Sequence, residues 1–531
     1  MNIVVNTVRD IAFEVFRGCG FDRVFANPGS TEIAFLGDLP EDFGFVLALH
    51  EGSVVGMATG YALATGRPAL VNLHTTAGLG NAVGALATAW ENRAPLVVVV
   101  GQQDRRHLAL EPFLTGKLDG LGGDYIVWTG QPAQAQDVPA TLLRAHHEAV
   151  ERSGPAVVIV PMDDWSAPYA LDRDFAAPLT LVRAPRQAEE GVNALFPLLD
   201  RAQSPVLVAG ADADSPECWS ALIALAERIE APVWQESFGG RAGFPQDHRL
   251  FAGHLPSNRS ALREALAGHD VLLVVGTAAL RQAVYEPGRL VPEAVTVAVL
   301  SDNPEELHHS AADLALLADP AFVCEQLALR LSARAAASAE PLLPPAEPVT
   351  ADGPLTAPFV FSAFAERLPR DAVVVEETPS TRSDLHRLLP ARAPRGFVSA
   401  AMGGLGFGLP AAAGLRMGDP TRPVVALLGD GSTLYAVQGL WSAARYECGV
   451  LFIVLNNGRY AKMDELAAEA GAKPSWPGFA DIDITALAAS LGCASRRVTS
   501  RAELLAALDE LVPGLAARTE PLLIEVPVVE E

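Results

Sequence analysis

The 531-residue sequence predicts an α/β protein made of three doubly wound domains, each with a parallel β-sheet covered by helices on both faces. Three observations predict this class. Short β-branched runs alternate with longer helical patterns along almost the whole chain. Two connector-like segments interrupt the alternation, the clearer of them rich in Ala and Pro. Half of the residues are hydrophobic and 19% are charged, which provides enough apolar material for large buried cores.

Eight short runs that are apolar at almost every position carry the strand prediction. They are RPALVNLH (67–74), APLVVVVGQ (94–102), GPAVVIVPM (154–162), SPVLVAGA (204–211), HDVLLVVGT (269–277), DAVVVEE (371–377), RPVVALLGD (422–430) and VLFIVLNN (450–457). Strands without polar alternation are typical of parallel sheets, because helices cover both faces of such sheets.

The connectors set the predicted domain boundaries. Residues 333–356 have no sustained apolar period, and residues 164–187 are a weaker case of the same kind. Dividing the chain at these segments gives domains at 1–180, 181–340 and 341–531. The first and third share the same succession of strands and helices.

Charge and cysteine usage exclude several classes of function. The formal net charge of −24, from 39 basic and 63 acidic residues, argues against binding to nucleic acids or anionic membranes. We see no signal-peptide pattern at the start, and the apolar runs are too short to cross a bilayer. The five cysteines are scattered and form no C-x-x-C pair, so we expect a reducing cytoplasm and neither a disulfide framework nor a structural zinc site.

A glycine-rich turn between two predicted strands is the strongest local signal. Asp430 closes the first strand and Asn457 follows the second, 27 positions later. A right-handed crossover places both carboxyl ends at one edge of the sheet, so the two residues should be brought together. A carboxylate, an amide oxygen and a backbone carbonyl form the oxygen site that Mg²⁺ prefers. Gly429 and Gly431 let the backbone approach a diphosphate at the following helix start, although no Walker motif is present.

This pattern of GDG, a spacer and NN resembles the thiamine diphosphate-dependent enzyme superfamily. Further segments of that family occur in the expected order: FANPGSTE (25–32), HEG (50–52), NLHTTAGLGN (72–81) and AAMGGLGFGLPAAAG (400–414). The resemblance implies a three-domain protein with a pyrimidine-binding, a central and a diphosphate-binding domain. It also implies thiamine diphosphate and Mg²⁺ as cofactors, and a homodimer as the minimum active unit, with a homotetramer common.

The resemblance assigns roles to individual residues. Asp430, the Asn457 side chain and the Arg459 carbonyl would bind Mg²⁺. Glu51 would activate the cofactor, and Leu405 would hold its two rings together. Further cofactor contacts would come from Ser380, Gly403, Gly431, Ser432 and Tyr460.

Within the superfamily, the chain most resembles benzoylformate decarboxylase. Ser30 stands where that enzyme contacts the substrate carboxylate, and His74 stands where it transfers protons. Ala283 replaces a second catalytic histidine. One proton-transfer group is therefore missing, so protonation or product release must differ, which leaves room for carboligation.

The predicted substrate pocket is also altered. Phe113 and Leu114 remain as apolar pocket residues, while Ser399 replaces a Phe. Lys462, Met463 and Leu466 stand where the relative has apolar or aromatic residues. We interpret this as a pocket for a 2-oxo acid that is less aromatic than benzoylformate or that carries a second anionic or polar group.

The sequence thus predicts non-oxidative decarboxylation of a 2-oxo acid to an aldehyde and CO₂, with or without accompanying carboligation. The partners expected are a small 2-oxo acid or aldehyde, with no nucleic acid and no membrane. An acetolactate-synthase-like or aldehyde-lyase-type carboligase is the alternative. A nucleotide-dependent oxidoreductase has only the pattern Gly78, Gly80, Gly84, in which the third glycine is one residue late. A paralogue that binds the cofactor without activity is the last possibility.

Overall fold

The computed structural model describes residues 6–170, 189–336, 338–344 and 349–529, and contains three six-stranded sheets. All strand pairs within the sheets are parallel. Helices cover both faces of each sheet, as the sequence predicted. In the described ranges, no helix has the length and apolar character needed to cross a membrane.

The first sheet has the strand order β2-β1-β3-β4-β6-β5. Its strands are β1 (Arg23–Asn27), β2 (Gly44–Leu47), β3 (Ala69–Leu73), β4 (Leu96–Gln102), β5 (Trp128–Gly130) and β6 (Pro155–Pro161). Its helices are α1 (Val8–Gly18), α2 (Ile33–Leu36), α3 (Glu51–Thr65), α4 (Thr75–Glu91) and α5 (Val138–Arg152).

The middle sheet has the order β12-β11-β10-β7-β8-β9, which is the order of a dinucleotide-binding fold. Its strands are β7 (Pro205–Ala209), β8 (Val233–Gln235), β9 (Phe251–His254), β10 (Val271–Val275), β11 (Thr296–Ser301) and β12 (Leu314–Leu317). Its helices are α6 (Glu189–Arg201), α7 (Pro216–Ile229), α8 (Arg259–Ala265), α9 (Pro304–His308) and α10 (Pro320–Arg330).

The third sheet, β14-β13-β15-β16-β18-β17, repeats the topology of the first. Its strands are β13 (Val373–Glu377), β14 (Phe397–Ser399), β15 (Val424–Gly429), β16 (Leu451–Asn456), β17 (Ala494–Arg497) and β18 (Leu522–Pro527). Its helices are α11 (Ala357–Arg367), α12 (Arg382–Leu388), α13 (Gly408–Gly418), α14 (Asp430–Tyr435), α15 (Gly439–Arg445), α16 (Ala461–Glu469), α17 (Ile484–Ser490) and α18 (Arg501–Leu511).

All eight apolar runs form strands, namely β3, β4, β6, β7, β10, β13, β15 and β16. The other strands include all six sheet edges, where strands such as β5 and β17 are short and partly exposed. The predicted boundary at 180/181 lies outside the described residues. In the described part of 333–356 there is no helix or strand before α11. Gly78, Gly80 and Gly84 lie inside α4 and not at a strand-to-helix turn, so they do not form a nucleotide loop.

The first and third domains meet through α3 and α13, which approach each other at glycines. A Cβ atom on Gly60 would lie 2.1 Å from the Ala411 carbonyl oxygen, and one on Gly414 would lie 1.9 Å from the Met57 carbonyl oxygen. The contacts advance in the same direction along both helices, from Gly56 against Pro410 onwards. The helices therefore run in the same sense, and their N-terminal ends lie at the same side of this contact.

Ion pairs join the middle domain to its neighbours. Arg93, just after α4, pairs with Asp212 and lies 3.3 Å from Asp302. Arg241 of the middle domain pairs with Asp212 at 3.1 Å. Its guanidinium group also donates to the backbone carbonyl of Asn92, which belongs to the first domain. Arg370 of the third domain pairs with Asp247 of the middle domain at 2.6 Å, so directional polar contacts tie the middle domain to both of its neighbours.

All five cysteines are unpaired, and four of them are buried. Burial raises the pKa of Cys19 to about 11 and that of Cys218, Cys448 and Cys493 to about 12. Burial also raises the pKa of Cys324. The thiols therefore remain protonated at neutral pH, because the charged thiolate is poorly solvated in the interior.

Replacing Gly60 with Ala should destabilise the protein by about 1–3 kcal/mol, the usual cost of overpacking, because the new methyl group meets backbone that cannot move aside. The thermal unfolding midpoint measures this. Gly514→Ala is the control, since Gly514 is exposed and a Cβ there meets nothing within 4 Å. Equal midpoints for the two variants would contradict the close approach of α3 and α13.

Candidate active site

Polar side chains gather at the carboxyl ends of the strands in the first and third sheets. In the first sheet these are Asn27 at the end of β1, His74 after β3 and Gln102 at the end of β4. In the third sheet they are Glu377, Asp430 and Asn457, at or just beyond the ends of β13, β15 and β16. Such edges are where open parallel sheets bind ligands.

Glu51 begins α3 and is 8% exposed. The amide group of Asn27 donates to one of its carboxylate oxygens at 3.1 Å, and that of Asn81 in α4 donates to the other at 3.2 Å. A carboxylate at a helix N-terminus is also favoured by the helix dipole. The carboxyl group is thus fixed in place by neutral donors, with no cation paired to it among the described residues.

His74 precedes α4, and the next residue, Thr75, has a φ of 38°. The Nδ1 atom of His74 lies 2.9 Å from a carboxylate oxygen of Glu32 and 3.0 Å from the Thr31 hydroxyl. A carboxylate only accepts hydrogen bonds, so in this arrangement Nδ1 donates to Glu32, and Nε2 has no hydrogen-bond partner among the described residues. Gly29 permits this packing, since a Cβ there would lie 2.4 Å from the imidazole ring.

The segment after β4 carries Phe113 and Leu114. Gln102 holds it through two bonds to the Gly116 backbone at 2.8 and 2.9 Å, and Gln103 donates to the Phe113 carbonyl at 2.8 Å. Phe113 is 87% exposed and Leu114 37%. Ser30, in the short 3₁₀ helix before α2, is exposed as well.

Asp430 lies at the start of α14 and is 4% exposed. One carboxylate oxygen accepts from the Gly431 N–H at 2.8 Å, and the other accepts from the N–H groups of Asn457 and Gly458 at 3.1 and 2.6 Å. The predicted meeting of Asp430 with the segment at Asn457 is therefore confirmed. Burial raises the pKa of Asp430, and the backbone donors oppose that rise.

The residues around Asp430 fit a divalent cation bound together with a diphosphate. No Lys or Arg of the described residues pairs with this buried carboxylate, and burying an unpaired charge is costly. A carboxylate, an amide oxygen and a carbonyl, at Asp430, Asn457 and Arg459, are hard oxygen donors of the kind that Mg²⁺ takes. No group of three His, Cys, Asp or Glu side chains forms another metal site in the described ranges.

The first turn of α14 lies beside Tyr460. A Cβ atom on Gly431 would meet the Tyr460 ring at 2.8 Å, and the ring itself packs against Phe479 with centroids 4.9 Å apart. Ser432 is buried in the same turn. The absence of a side chain at Gly431 is therefore what allows Tyr460 to pack against the first turn of this helix.

Glu377, at the end of β13, binds the loop that carries Gly403 and Leu405. One carboxylate oxygen accepts from the Gly406 N–H at 2.6 Å, and the other accepts from Phe407 and Gly408 at 3.0 and 2.5 Å. Burial raises the pKa of Glu377 to about 7, although these three donors lower it. Ser380 lies exposed just after this strand end.

The predicted pocket residues lie on three separate elements. Lys462, in α16, pairs with Glu465 at 2.8 Å, and its helix neighbours Met463 and Leu466 are 47% and 44% exposed. Ala283 is exposed in the middle domain, where its N–H donates to the Ser257 carbonyl. Ser399 is buried at the end of β14.

The structure gathers the predicted residues into two groups. Glu51 and His74 belong to the first domain, while Asp430, Asn457, Tyr460 and the Leu405 loop belong to the third. In the described chain no hydrogen bond or ion pair joins Glu51 or His74 to the second group.

Sequence reasoning missed four residues that orient the predicted ones: Asn27, Glu32, Asn81 and Glu377. Three of them stood inside motifs that had already been recognised, and their polar side chains were the signal that could have identified them.

Models of three family domains match the chain. They are the N-terminal TPP binding domain of the thiamine pyrophosphate enzymes at residues 6–121, the central domain at 192–327 and the C-terminal TPP binding domain at 380–526. Because all three matches are to thiamine pyrophosphate enzymes, we set aside the alternative of a nucleotide-dependent oxidoreductase.

Full-length relatives agree with these domain matches. A benzoylformate decarboxylase from Pseudomonas aeruginosa is 37% identical over 98% of this chain and 99% of its own length. A 4-hydroxybenzoylformate decarboxylase structure from Rhodococcus jostii has a TM-score of 0.94 and 34% identity, covering 99% of this chain and 100% of its own. A benzoylformate decarboxylase structure from Polynucleobacter necessarius has a TM-score of 0.93 and 33% identity, covering 99% of both chains. The chain therefore belongs to the thiamine pyrophosphate-dependent enzyme family, as a 2-oxo-acid decarboxylase of the benzoylformate decarboxylase type.

Proposed function

We propose that this chain removes CO₂ non-oxidatively from a 2-oxo acid to give an aldehyde, with Glu51 and His74 as catalytic residues. The observation that carries the proposal is the Glu51 carboxyl, buried and fixed between two side-chain amides. Two of the similar proteins above are named for benzoylformate and one for 4-hydroxybenzoylformate, which supports an aryl-substituted 2-oxo acid as the starting point for substrate assays.

Each group of residues has a distinct task in this proposal. Asp430, Asn457 and the Arg459 carbonyl hold Mg²⁺, and Gly431, Ser432 and Tyr460 flank the diphosphate. Leu405, Gly403 and Ser380 contact the rest of the cofactor. When bound, thiamine diphosphate would supply a nucleophilic carbon for the 2-oxo group and an electron sink for the electrons left when CO₂ departs.

The residues of the chain manage the protons. Glu51 exchanges a proton with the aminopyrimidine, and the amides of Asn27 and Asn81 keep its carboxyl in position. His74 moves a proton at the substrate through Nε2, because Glu32 holds the Nδ1 proton. Ser30 binds the substrate carboxylate. Phe113, Leu114, Met463 and Leu466 form the apolar walls around the substrate side chain, and Ala283 leaves space there.

We infer that two copies of the chain form the active unit. Several large apolar side chains are exposed, with Leu110 at 82%, Phe113 at 87% and Tyr285 at 79%. Exposed apolar surface of this kind marks an interface or a ligand site. Glu51 of one copy would then complete the Asp430 site of the other, and a tetramer would pair two such dimers.

The remaining assignments follow the same proposal. Residues 1–180 form the pyrimidine-binding domain, 181–340 the central domain and 341–531 the diphosphate-binding domain. We infer a cytoplasmic location, which the five unpaired cysteines support.

Carboligation is the second candidate, favoured by one observation. Ala283 stands at the position of a proton-transfer histidine in benzoylformate decarboxylase, so this chain carries one such group fewer. Slower protonation leaves more time for attack on an aldehyde. An acetolactate-synthase-like or aldehyde-lyase-type enzyme would show this activity as its main reaction.

The proposal is tested by supplying thiamine diphosphate and Mg²⁺ and following CO₂ release from aromatic, branched, linear and dicarboxylic 2-oxo acids, with and without added aldehyde. We expect release with formation of the simple aldehyde, and a loss of about 10²-fold or more in Glu51→Gln. Glu217→Gln is the control, because Glu217 also lies in the first turn of a helix but is exposed in the middle domain. Hydroxyketone formation without net aldehyde release would favour the carboligase instead.

His74→Ala should lower kcat by about 10²–10⁴-fold, the range for a lost general acid–base group. Glu32→Gln should lower kcat less, because the imidazole stays but loses its orientation. His248→Ala is a matched control: His248 also contacts a glutamate, at 3.2 Å, and its side chain has the same 16% exposure as that of His74. A full kcat in His74→Ala would remove this residue from the mechanism.

Lys462→Met should change the order of substrate preference. If Lys462 binds a second anionic group, kcat/KM for a dicarboxylic 2-oxo acid should fall about tenfold relative to a monocarboxylic one, the cost of one charge-assisted hydrogen bond. Glu465 already pairs with this ammonium group, so Glu465→Gln should have the opposite effect. Lys473→Met serves as the control at an exposed lysine nearby in sequence. Unchanged ratios over the whole panel would refute the role of Lys462.

A further inference from the structure

A buried carboxyl group outside the assigned catalytic set accepts hydrogen bonds from the loop that carries Leu405. Glu377 is 2% exposed and lies at the end of β13, an interior strand of the third sheet. Its two oxygens together accept three consecutive backbone N–H groups, from Gly406, Phe407 and Gly408. No other side chain of the described residues binds these three donors.

Two of the three donors, Phe407 and Gly408, are N–H groups that the start of α13 leaves unsatisfied, and the third, Gly406, lies in the loop just before the helix. The first N–H groups of a helix have no partner within the helix, and a negative charge there is favoured by the helix dipole. Phe407 precedes α13 and has no side-chain cap of its own. Glu377 therefore caps the helix from a different element of the fold, across 29 to 31 positions of sequence.

The loop before α13 depends on this cap for its shape. Gly403 and Gly406 have φ values of 76° and 92°, in the left-handed region that glycine tolerates and other residues resist. Glycine is also the most flexible residue when nothing holds it. Leu405 lies between these two glycines, so its position follows from whatever fixes Gly406.

Glu377 packs tightly against the start of α13, and its neighbour Glu376 does not share its partners. A Cβ on Gly408 would lie 3.1 Å from both the Cβ and a carboxylate oxygen of Glu377. The neighbouring Glu376 points to other partners, the Thr378 N–H at 2.6 Å and Arg382 at 2.9 Å. The two adjacent carboxyl groups thus have separate partners, and only Glu377 binds the Leu405 loop.

We propose that Glu377 is a positioning residue that acts through Leu405: its carboxylate fixes the 403–408 loop in the form that receives thiamine diphosphate. The inference rests on the proposed role of Leu405 as a cofactor contact. It assigns to Glu377 no contact with the substrate. The substrate KM should therefore be insensitive to its replacement, whereas cofactor affinity and kcat should respond.

Glu377→Gln replaces one acceptor oxygen with an NH₂ group, which places a donor against a backbone donor. We expect the Kd for thiamine diphosphate in saturating Mg²⁺, measured by quenching of tryptophan fluorescence, to rise about tenfold, as for the loss of one hydrogen bond to a charged group. Glu376→Gln, at an equally buried carboxyl in the same strand, should leave this Kd within about twofold, given its separate partners. Equal effects of the two variants would overturn the proposal.

A double-mutant cycle with Leu405→Ala separates positioning from general stability. If Glu377 acts through Leu405, the Glu377→Gln change should add little to the Kd or kcat of the Leu405→Ala enzyme. Fully multiplicative effects would show that Glu377 acts by another route and would also overturn the proposal.

Thermal unfolding of each variant shows whether it is folded. If Glu377→Gln does not fold, Gly406→Ala perturbs the same loop at its positive φ and should raise the cofactor Kd in its place; a normal Kd in that variant would contradict the inference.

The binding measurement is independent of the reaction. A wild-type protein that binds thiamine diphosphate but decarboxylates none of the 2-oxo acids would refute the proposed function, while the Kd comparison would still decide the role of Glu377.

Discussion

Helices α3 and α13 meet with no side chain between their backbones at Gly60 and Gly414, and the geometry of the candidate site follows from that contact. Glu51 opens the first helix, and the loop with Leu405 leads into the second. Because the helices run in the same sense, the contact fixes the relative heights of these two N-terminal ends. Hydrogen bonds then set the finer positions of the groups that would meet the cofactor. Asn27 and Asn81 orient the Glu51 carboxylate, and Glu377 binds the loop that carries Leu405.

The sequence allowed the fold class and the buried strands to be predicted because continuous apolar runs have a single physical meaning in a long α/β chain. It did not allow the short edge strands to be predicted, since β5 and β17 are partly exposed and lack that pattern. Asp430 and Asn457 could be brought together from topology alone. Parallel strands joined by a crossover must end at the same edge, however far apart their residues lie in the chain.

The supporting residues could not be predicted for a different reason. Glu32 and Glu377 look like ordinary acidic residues until their partners are known. Those partners are a histidine 42 positions away and the backbone N–H groups of a loop 29 to 31 positions away. Tertiary structure alone defines such pairs. The motifs of a family identify the groups that touch the cofactor, whereas the groups that orient them are found by asking where each buried hydrogen-bonding atom finds its partner.

Because its thiols are protonated and mostly buried, the protein should react only weakly with thiol-directed reagents. A thiol-directed reagent needs thiolate and access, and four of the five natural cysteines lack both at neutral pH, while Cys19 is only partly accessible and has a pKa of about 11. A single cysteine introduced at an exposed position such as Leu110 or Met463 would therefore react against a nearly silent background. The segments that surround the candidate pocket could be tagged with a fluorophore one at a time, without first removing the natural cysteines from the domain cores.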